Sequence, residues 1–390
     1  MLNEVPEGWV ASKPLACFVD NIGKKWDGKS KALYVGLEHI AQSEGRLVAI
    51  GDTDGIASAK SAFEKCDVLF GKLRPNLRKF WYADTSGVCS TDILVLRAKQ
   101  GLLPKFLFFL TQSTEFIECA VQDAVGTKMP RTSWKSLGAQ CLPIPPLTEQ
   151  KRIAEVLLSV DESIQATQRL IEQAERVKQG LMEELLTGGL GSEAIERGEV
   201  PEGWLSSTFG DEIEFKGGNQ PPKKTFIYEP KDGYVRLLQI RDFENDLKPA
   251  YIPETATKVR CNEQDILIAR YGASLGRICR GKAGAYNVAL VKLLLSERLV
   301  ADYAFYWLNG DTFQSYLISV GSRSAQAGFN KQDLAPLVLL LPPLTEQKRI
   351  AEVLSSVDDR VKRHKDELEE LSRLKKGLMD DLLTGKVRTV

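Results

Sequence analysis

The segment from Gly23 to Ser30 reads GKKWDGKS and satisfies the pattern G-x-x-x-x-G-K-[ST], whose backbone amides and lysine cradle nucleotide phosphates. That chemistry needs a strand before the loop, a helix after it and a magnesium-binding aspartate at the end of another strand. Here the preceding run, Cys17 to Ile22, is short and holds Asp20 and Asn21. The residues from Ala32 to Ile40 include a glycine and β-branched side chains and suit a strand entering a turn. The match therefore reads as a coincidence of composition. A weaker match at Gly276 to Ala283 lacks the hydroxyl that would hold magnesium. The only histidines, His39 and His364, have no cysteine or acidic neighbours at metal-ligand spacing, and no Ser-His-Asp or Cys-His set can be assembled. Seven cysteines without a CxxC pair read as reduced thiols. The acidic pairs Glu183-Glu184 and Asp380-Asp381 read as solvated helix faces. Catalytic residues, a metal and a bound cofactor are thus not expected of this chain.

The elements that would carry any function are written twice. VPEGW occurs at Val5–Trp9 and at Val200–Trp204, and PPLTEQKRIAEVL at Pro145–Leu157 and Pro342–Leu354, an offset of 197. From Pro146 to Gly188, aligned with Pro343 to Gly385, 25 of 43 positions are identical. Both copies predict a helix of ~40 residues, about 60 Å long. Proline pairs stop the preceding strand, Thr148 is the expected N-cap, and Gly188 and Gly385 end the helices. Ile153, Leu157, Val160, Ile164, Ile171, Ala174, Leu181 and Leu185 recur in steps of four and three, and the second copy repeats the frame from Ile350 to Leu382. This is a heptad seam, with Lys178 and Lys375 lying in it. An antiparallel pair of such helices would carry a module at each end.

Two globules of ~135 residues lie between the repeats. Each has an aspartate before an apolar run (Asp67, Asp265), then a basic segment, then an aromatic helix (from Lys105; from Tyr303), then a glycine turn (Gly126; Gly321). Short β-rich runs, Val88 to Leu96 and Ala289 to Leu295, give an α+β class. The domains are read as 1–144, 145–190 (helix), 191–341 with its linker, and 342–390 (helix). Net charge is zero overall but uneven: residues 10–144 carry 18 basic and 13 acidic side chains, 145–200 carry 6 and 11, and 201–341 carry 17 and 16. That is compatible with nucleic acid without requiring it. The start has no basic end followed by an apolar run, and Leu337 to Leu344 is too short to span a bilayer, so a cytoplasmic protein is expected.

Twice-written VPEGW, a variable globule, then PPLTEQKRIAEVL and a long helix ending in LLTG resembles the specificity subunit of type I restriction-modification enzymes. The resemblance covers essentially the whole chain. It implies two pseudo-symmetric target-recognition domains joined by two long antiparallel helices, one domain for each half of a bipartite asymmetric DNA site. It also implies that the helices space the half-sites and dock two adenine methyltransferase subunits. Restriction and translocation subunits would join these, and S-adenosylmethionine, ATP and magnesium would belong to the partners in a prokaryotic cytoplasm. A stand-alone DNA-binding regulator and a phosphate-loop ATPase are the alternatives.

Phosphate contact calls for Lys, Arg and backbone amides, and base reading for Arg, Asn or Gln. In the first globule Lys72, Arg74, Asn76, Arg78 and Lys79 form a candidate DNA strip, the alternative being a solvated strand-loop with Phe80 to Tyr82 in the core. Thr127, Lys128 and Arg131 of the glycine turn join it. In the second globule the candidates are Arg270, Tyr271, Arg277, Arg280 and Lys282, with Arg323, Gln326 and Asn330 from the loop beyond Gly321. Lys223 and Lys224 read as a solvated pair. Glu149, Gln150 and Arg152, with their counterparts Glu346, Gln347 and Arg349, are the candidate partner contacts, a solvated helix start being the alternative.

Overall fold

The computed structural model describes residues 5–23, 25–26, 31–53, 60–321 and 328–389. Two compact units result: residues 1–169 with 366–390, and residues 170–365. Each long helix therefore gives one half of itself to each unit.

The first unit carries strands β1 (Val19–Asn21), β2 (Leu33–Val35), β3 (Gly51–Asp52), β4 (Lys60–Phe63), β5 (Val68–Gly71), β6 (Phe80–Tyr82), β7 (Gly87–Ser90) and β8 (Ile93–Ala98). Helices α1 (Pro104–Leu110), α2 (Thr114–Gln122), α3 (Trp134–Ala139) and the long α4 (Leu147–Thr187) follow. One sheet runs β1-β8-β5-β6, antiparallel throughout, and the other β3-β2-β7-β4, with β2 and β7 parallel.

The second unit begins in the end of α4 and continues through α5 (Ser192–Glu196), β9 (Leu205–Thr208), α6 (Phe209–Glu212), β10 (Ile213–Gly217), β11 (Tyr234–Leu238) and β12 (Ala250–Pro253). Then come β13 (Arg260–Cys261), β14 (Leu267–Ala269), β15 (Ile278–Cys279), β16 (Gly284–Tyr286), β17 (Leu290–Leu295), α7 (Ala301–Asn309), α8 (Asp311–Gly321), α9 (Lys331–Leu334), β18 (Val338–Leu341) and the long α10 (Leu344–Leu382). Two of its sheets, β10-β17-β14-β15 and β12-β11-β16-β13, repeat the first unit's order and strand directions, with β11 and β16 parallel, and a third pairs β9 with β18 antiparallel. The paired aspartates noticed in the sequence hold equivalent places. Buried Asp67 accepts two bonds from Arg97 on β8 (2.7 and 2.8 Å), and Asp265 pairs with Lys292 on β17 (2.5 Å).

The helix seam is part of each core. In the first unit Ile153 and Leu157 of α4 and Met379, Leu382 and Leu383 around the end of α10 bury with Trp9, Phe106 and Phe109. In the second, Met182 and Leu186 of α4 and Ile350 and Leu354 of α10 bury with Phe209, Tyr303 and Trp307. Thr148 is not the N-cap. Helix α4 starts at Leu147, and the Pro146 carbonyl accepts the Glu149 and Gln150 amides (3.0 and 2.9 Å), because the proline pair already sets the extended entry. The helix ends explain the VPEGW repeat. Gly385, at φ +74°, has Pro6 so close that a Cβ would meet it at 2.4 Å, and Gly188, at φ +62°, meets Pro201 at 2.5 Å. Glycine is required there both for the left-handed turn and for space.

Both seam lysines find carboxylates. Lys375 pairs with Asp161 in the first unit (2.7 Å; side chains 12% and 15% exposed), and Lys178 with Asp358 in the second (2.6 Å). The pairs are the same two repeat positions with their copies exchanged. With Glu175–Lys365 (2.7 Å) in the second unit and Arg152 donating to the Thr389 carbonyl (2.6 Å) in the first, they make the helix segments antiparallel within each unit. Burial pushes the Asp161 pKa up more than Lys375 pulls it down, so the pair fixes register more than it adds stability. Lys375→Ala alone should cost on the order of 3 kcal/mol in chemical denaturation, by leaving Asp161 buried and unpaired. Lys375→Met with Asp161→Leu should recover most of that loss; equal losses for the single and double variants would count against a coupled pair.

Candidate nucleic-acid interface

The loop after β5 and the glycine turn, far apart in sequence, form one surface in the first unit. The Lys72 carbonyl accepts the Thr132 amide (3.0 Å), and the Arg74 amide donates to Pro130 O (2.7 Å). The Arg74 guanidinium donates to Lys128 O (3.1 Å). Arg74, Asn76, Thr127, Lys128 and Arg131 are exposed and Lys72 half-buried. Arg74 and Arg78 sit at φ 51° and 50°, left-handed values that a residue with a Cβ adopts at a cost of ~1 kcal/mol or more. They bracket the one-turn helix Pro75–Leu77, which turns Asn76 outward. Arg131 grips Asp92 through two bonds (2.8 and 3.2 Å), and this holds the Asp92 carboxyl below its ordinary pKa. Arg78 and Lys79 are tied to the chain's own carbonyls, at Gln112 (2.6 Å) and Leu37 (2.5 Å). Phe80 and Trp81 are core residues, so the aromatics of this segment are scaffold. Sequence reasoning missed Val125 and Met129, exposed apolar residues of the same turn.

The second unit builds the equivalent place differently. The Arg270 amide donates to Ala289 O (2.9 Å), as Lys72 does to Asp92 O, and Tyr271 bridges to Gly328 as Leu73 bridges to Arg131. Arg270 donates to Phe329 O (3.2 Å) and lies over the ring of exposed Tyr271 (5.3 Å). The remaining cations are held by carboxylates. Arg277 pairs with Glu244, Arg280 with Asp302 (2.5 Å), and Lys282 with Asp246 (2.5 Å), which Arg236 also bonds. Two cations drive the Asp246 pKa down to about 2. None of these partners is legible from spacing, since they lie 22 to 36 residues away. Asn330 caps α9, its side-chain oxygen accepting the Gln332 and Asp333 amides (2.8 and 3.1 Å), so that oxygen is engaged within the fold. Arg323 and Gln326 lie outside the described residues.

The expected partner contacts need correction. Glu149, Gln150 and Gln347 are 3%, 0% and 1% exposed, so an approaching chain would not reach them. The Gln150 amide donates to Gly101 O (2.9 Å) and Pro145 O (2.8 Å), and its oxygen accepts the Leu103 amide (2.8 Å). Gln347 does the same with Arg298 O, Pro342 O and the Val300 amide (2.8, 2.9 and 2.8 Å). Each glutamine thus clamps a long helix to the start of α1 or α7. The identity of both copies was the available signal, but it could not separate an inner clamp from an outer contact. Glu149 accepts Trp9 Nε1 (2.9 Å) and two bonds from Arg388 (2.8 and 3.0 Å). Arg152 and Arg349 are exposed and Glu346 half-buried.

The phosphate-loop match has the wrong surroundings. Residues 24 and 27–30 lie outside the described residues, but the next element is strand β2 and not a helix. Among the described residues no His, Cys, Asp and Glu cluster is placed to hold a metal. Burial pushes the Cys89 thiol up to about 12 and Cys261 and Cys279 to about 11, which keeps them protonated and unreactive. Among the same residues no helix is long and apolar enough to cross a membrane.

The family model of the type I restriction modification DNA specificity domain matches residues 58–176 and 201–373. The chain belongs to this family. It is a DNA specificity subunit, a non-catalytic component of a type I restriction-modification enzyme. A Methanocaldococcus jannaschii chain assigned as the MjaX type I restriction enzyme specificity subunit is 27% identical over 99% of this chain and 95% of its own length. The S subunit of the type I system from M. genitalium has the same fold at 16% identity (TM-score 0.62; 97% of this chain, 96% of that one). A chain solved in work on the complex assembly of a type I system shares the fold at 22% identity (TM-score 0.59; 99% and 100%).

Glu149 links this specificity subunit's stability to pH. Burial alone would raise its pKa, but bonds from Arg388, Trp9 and the Thr389 amide outweigh that and the net shift is downward. A lowered folded-state pKa contributes stability above the ordinary value of 4.5 that is lost as pH falls through the folded value. The melting-temperature gap between wild type and Glu149→Gln should therefore be widest near pH 7 and shrink below pH ~4.5; a gap that widens on acidification would overturn this.

Proposed function

We propose that this specificity subunit reads a bipartite, asymmetric DNA site, one half through each sheet pair. The observation that carries this is the duplicated plan with unlike surfaces: one strand order twice, but a lysine- and arginine-bearing turn in one unit and a Tyr271-centred, ion-paired strip in the other. Residues 1–144 and 191–341 serve as target-recognition domains, and the segments 145–190 and 342–390 as spacer helices. Lys72, Arg74, Asn76, Thr127, Lys128 and Arg131 face one half-site, and Arg270, Tyr271, Arg277, Arg280 and Lys282 the other. Arg78 and Lys79 shape the first strip from behind. Outward helix faces, including Arg152 and Arg349, dock two adenine methyltransferase subunits, to which restriction and translocation subunits add. Those partners supply S-adenosylmethionine, ATP and magnesium.

Mapping methylated adenines genome-wide with and without the gene tests the reading. Loss of a split motif with a fixed-length gap is expected on deletion, and an unchanged methylome would refute it. A second test addresses spacing. Inserting one heptad in α4 and one in α10 keeps the seam in phase and adds ~10 Å, about 3 base pairs. The methylated motif should keep both halves and lengthen its gap by about that number; an unchanged gap would show that the helices do not set it.

A further inference from the structure

We infer that the two units divide the DNA-binding work unequally, the first providing the electrostatic hold on phosphates and the second reading its half-site with cations that are already neutralised. The inference rests on the DNA strips proposed above. The two strips differ in one physical respect. Between β5 and β6 lie Lys72, Arg74, Arg78 and Lys79, and among the described residues none of the four forms an ion pair with a carboxylate, although Lys72 is near enough to Asp92 to help lower its pKa; nor does Lys128, in the turn that packs beside them. Arg74 and Lys128 are also exposed. From β15 to β16 and in the loop before it, Arg277, Arg280 and Lys282 each rest on a carboxylate, Glu244 and Asp246 coming from one loop before β12 and Asp302 from α7, while Arg270 bonds the Phe329 carbonyl. The charge balance agrees, with 18 basic against 13 acidic residues over 10–144 and 17 against 16 over 201–341.

The consequence follows from how DNA binding depends on salt. An unpaired cation that meets a phosphate releases a condensed counterion, and each such contact adds about 0.9 to the slope of log affinity against log salt. A cation that brings its own carboxylate adds little net charge to the groove. It still offers oriented N–H donors, because the carboxylate fixes the side chain that a base edge would then meet. The first strip therefore sets affinity for any duplex, and the second contributes discrimination.

The test uses the assembled methyltransferase complex and measures binding to its methylation site and to unrelated duplex across a salt series. Lys72→Gln, Arg74→Gln and Lys128→Gln together should lower the slope by about 2 to 3 and weaken binding to both duplexes alike. Arg277→Gln, Arg280→Gln and Lys282→Gln together should change the slope by less than about 1 while reducing the preference for the cognate site. Glu244→Gln with Asp246→Asn, which keeps every cation, should raise the slope by about 1 to 2. This arm stays informative if a triple variant fails to assemble. Equal slope losses from the two triple sets, or no gain from the carboxylate variant, would overturn the unequal division while leaving both strips as DNA contacts. No effect of either triple set on slope or preference would instead refute the strips themselves.

Discussion

A lysine in an apolar helix seam must find a carboxylate, and this constraint fixes the arrangement on which everything else hangs. Each repeat carries a seam lysine with an aspartate 17 residues before it: Asp161 with Lys178, and Asp358 with Lys375. Within one helix they are too far apart to meet. Exchanged between copies they pair at 2.7 and 2.6 Å, once in each unit. Apolar seam residues tolerate slippage by a heptad, but a buried charge does not, because every slipped register strands it without a partner. Two weakly stabilising ion pairs thus specify which turn of α4 meets which turn of α10.

The same exchange between copies recurs at the helix ends. VPEGW of the first copy packs on the glycine end of the second helix, and VPEGW of the second copy on that of the first. The glutamine clamps do not exchange: Gln150 and Gln347 each tie a helix start to the globule that precedes it in the chain. Each compact unit is consequently assembled from one globule, the helix start that follows it, and the end of the other helix. The arginine clasp on Glu149 has no copy, since the position equivalent to Arg388 is Gly191, and the two units are not interchangeable in detail.

The surfaces of the two units diverge more than their scaffolds do. Strand order is preserved in both four-stranded sheets, and Asp67 and Asp265 keep equivalent places while the cations they pair with, Arg97 and Lys292, sit at different positions of the neighbouring strand. What changes is whether the cations in front of them are free or matched. In the first unit, among the described residues, only Arg131 of the exposed candidates forms an ion pair with a carboxylate, Asp92. In the second, three of the five candidates do. Recognition modules that share a frame can vary in this way because charges at a loop surface cost little to add, remove or pair, whereas the core beneath tolerates few changes of volume.

The duplication, the two long helices, the heptad seam with its lysines, the α+β class and the family were legible in the amino-acid order, because repeats and periodicity are properties of neighbours along the chain. The sequence went further in part. It placed the basic segments but could not say which cations were already spent. Arg277, Arg280 and Lys282 looked as free as Arg74 and Lys128, since Glu244, Asp246 and Asp302 reach them only after the sheets fold. It read Glu149, Gln150 and Gln347 as outward because they follow a helix start, where side chains are usually solvated; the structure buries them, since each globule folds back over the first turn of its helix. Thr148 lost its capping role to the proline pair for a local reason that the sequence did contain. Which polar groups face inward is set in folding, because burial depends on what another segment covers, and sequence spacing does not encode that.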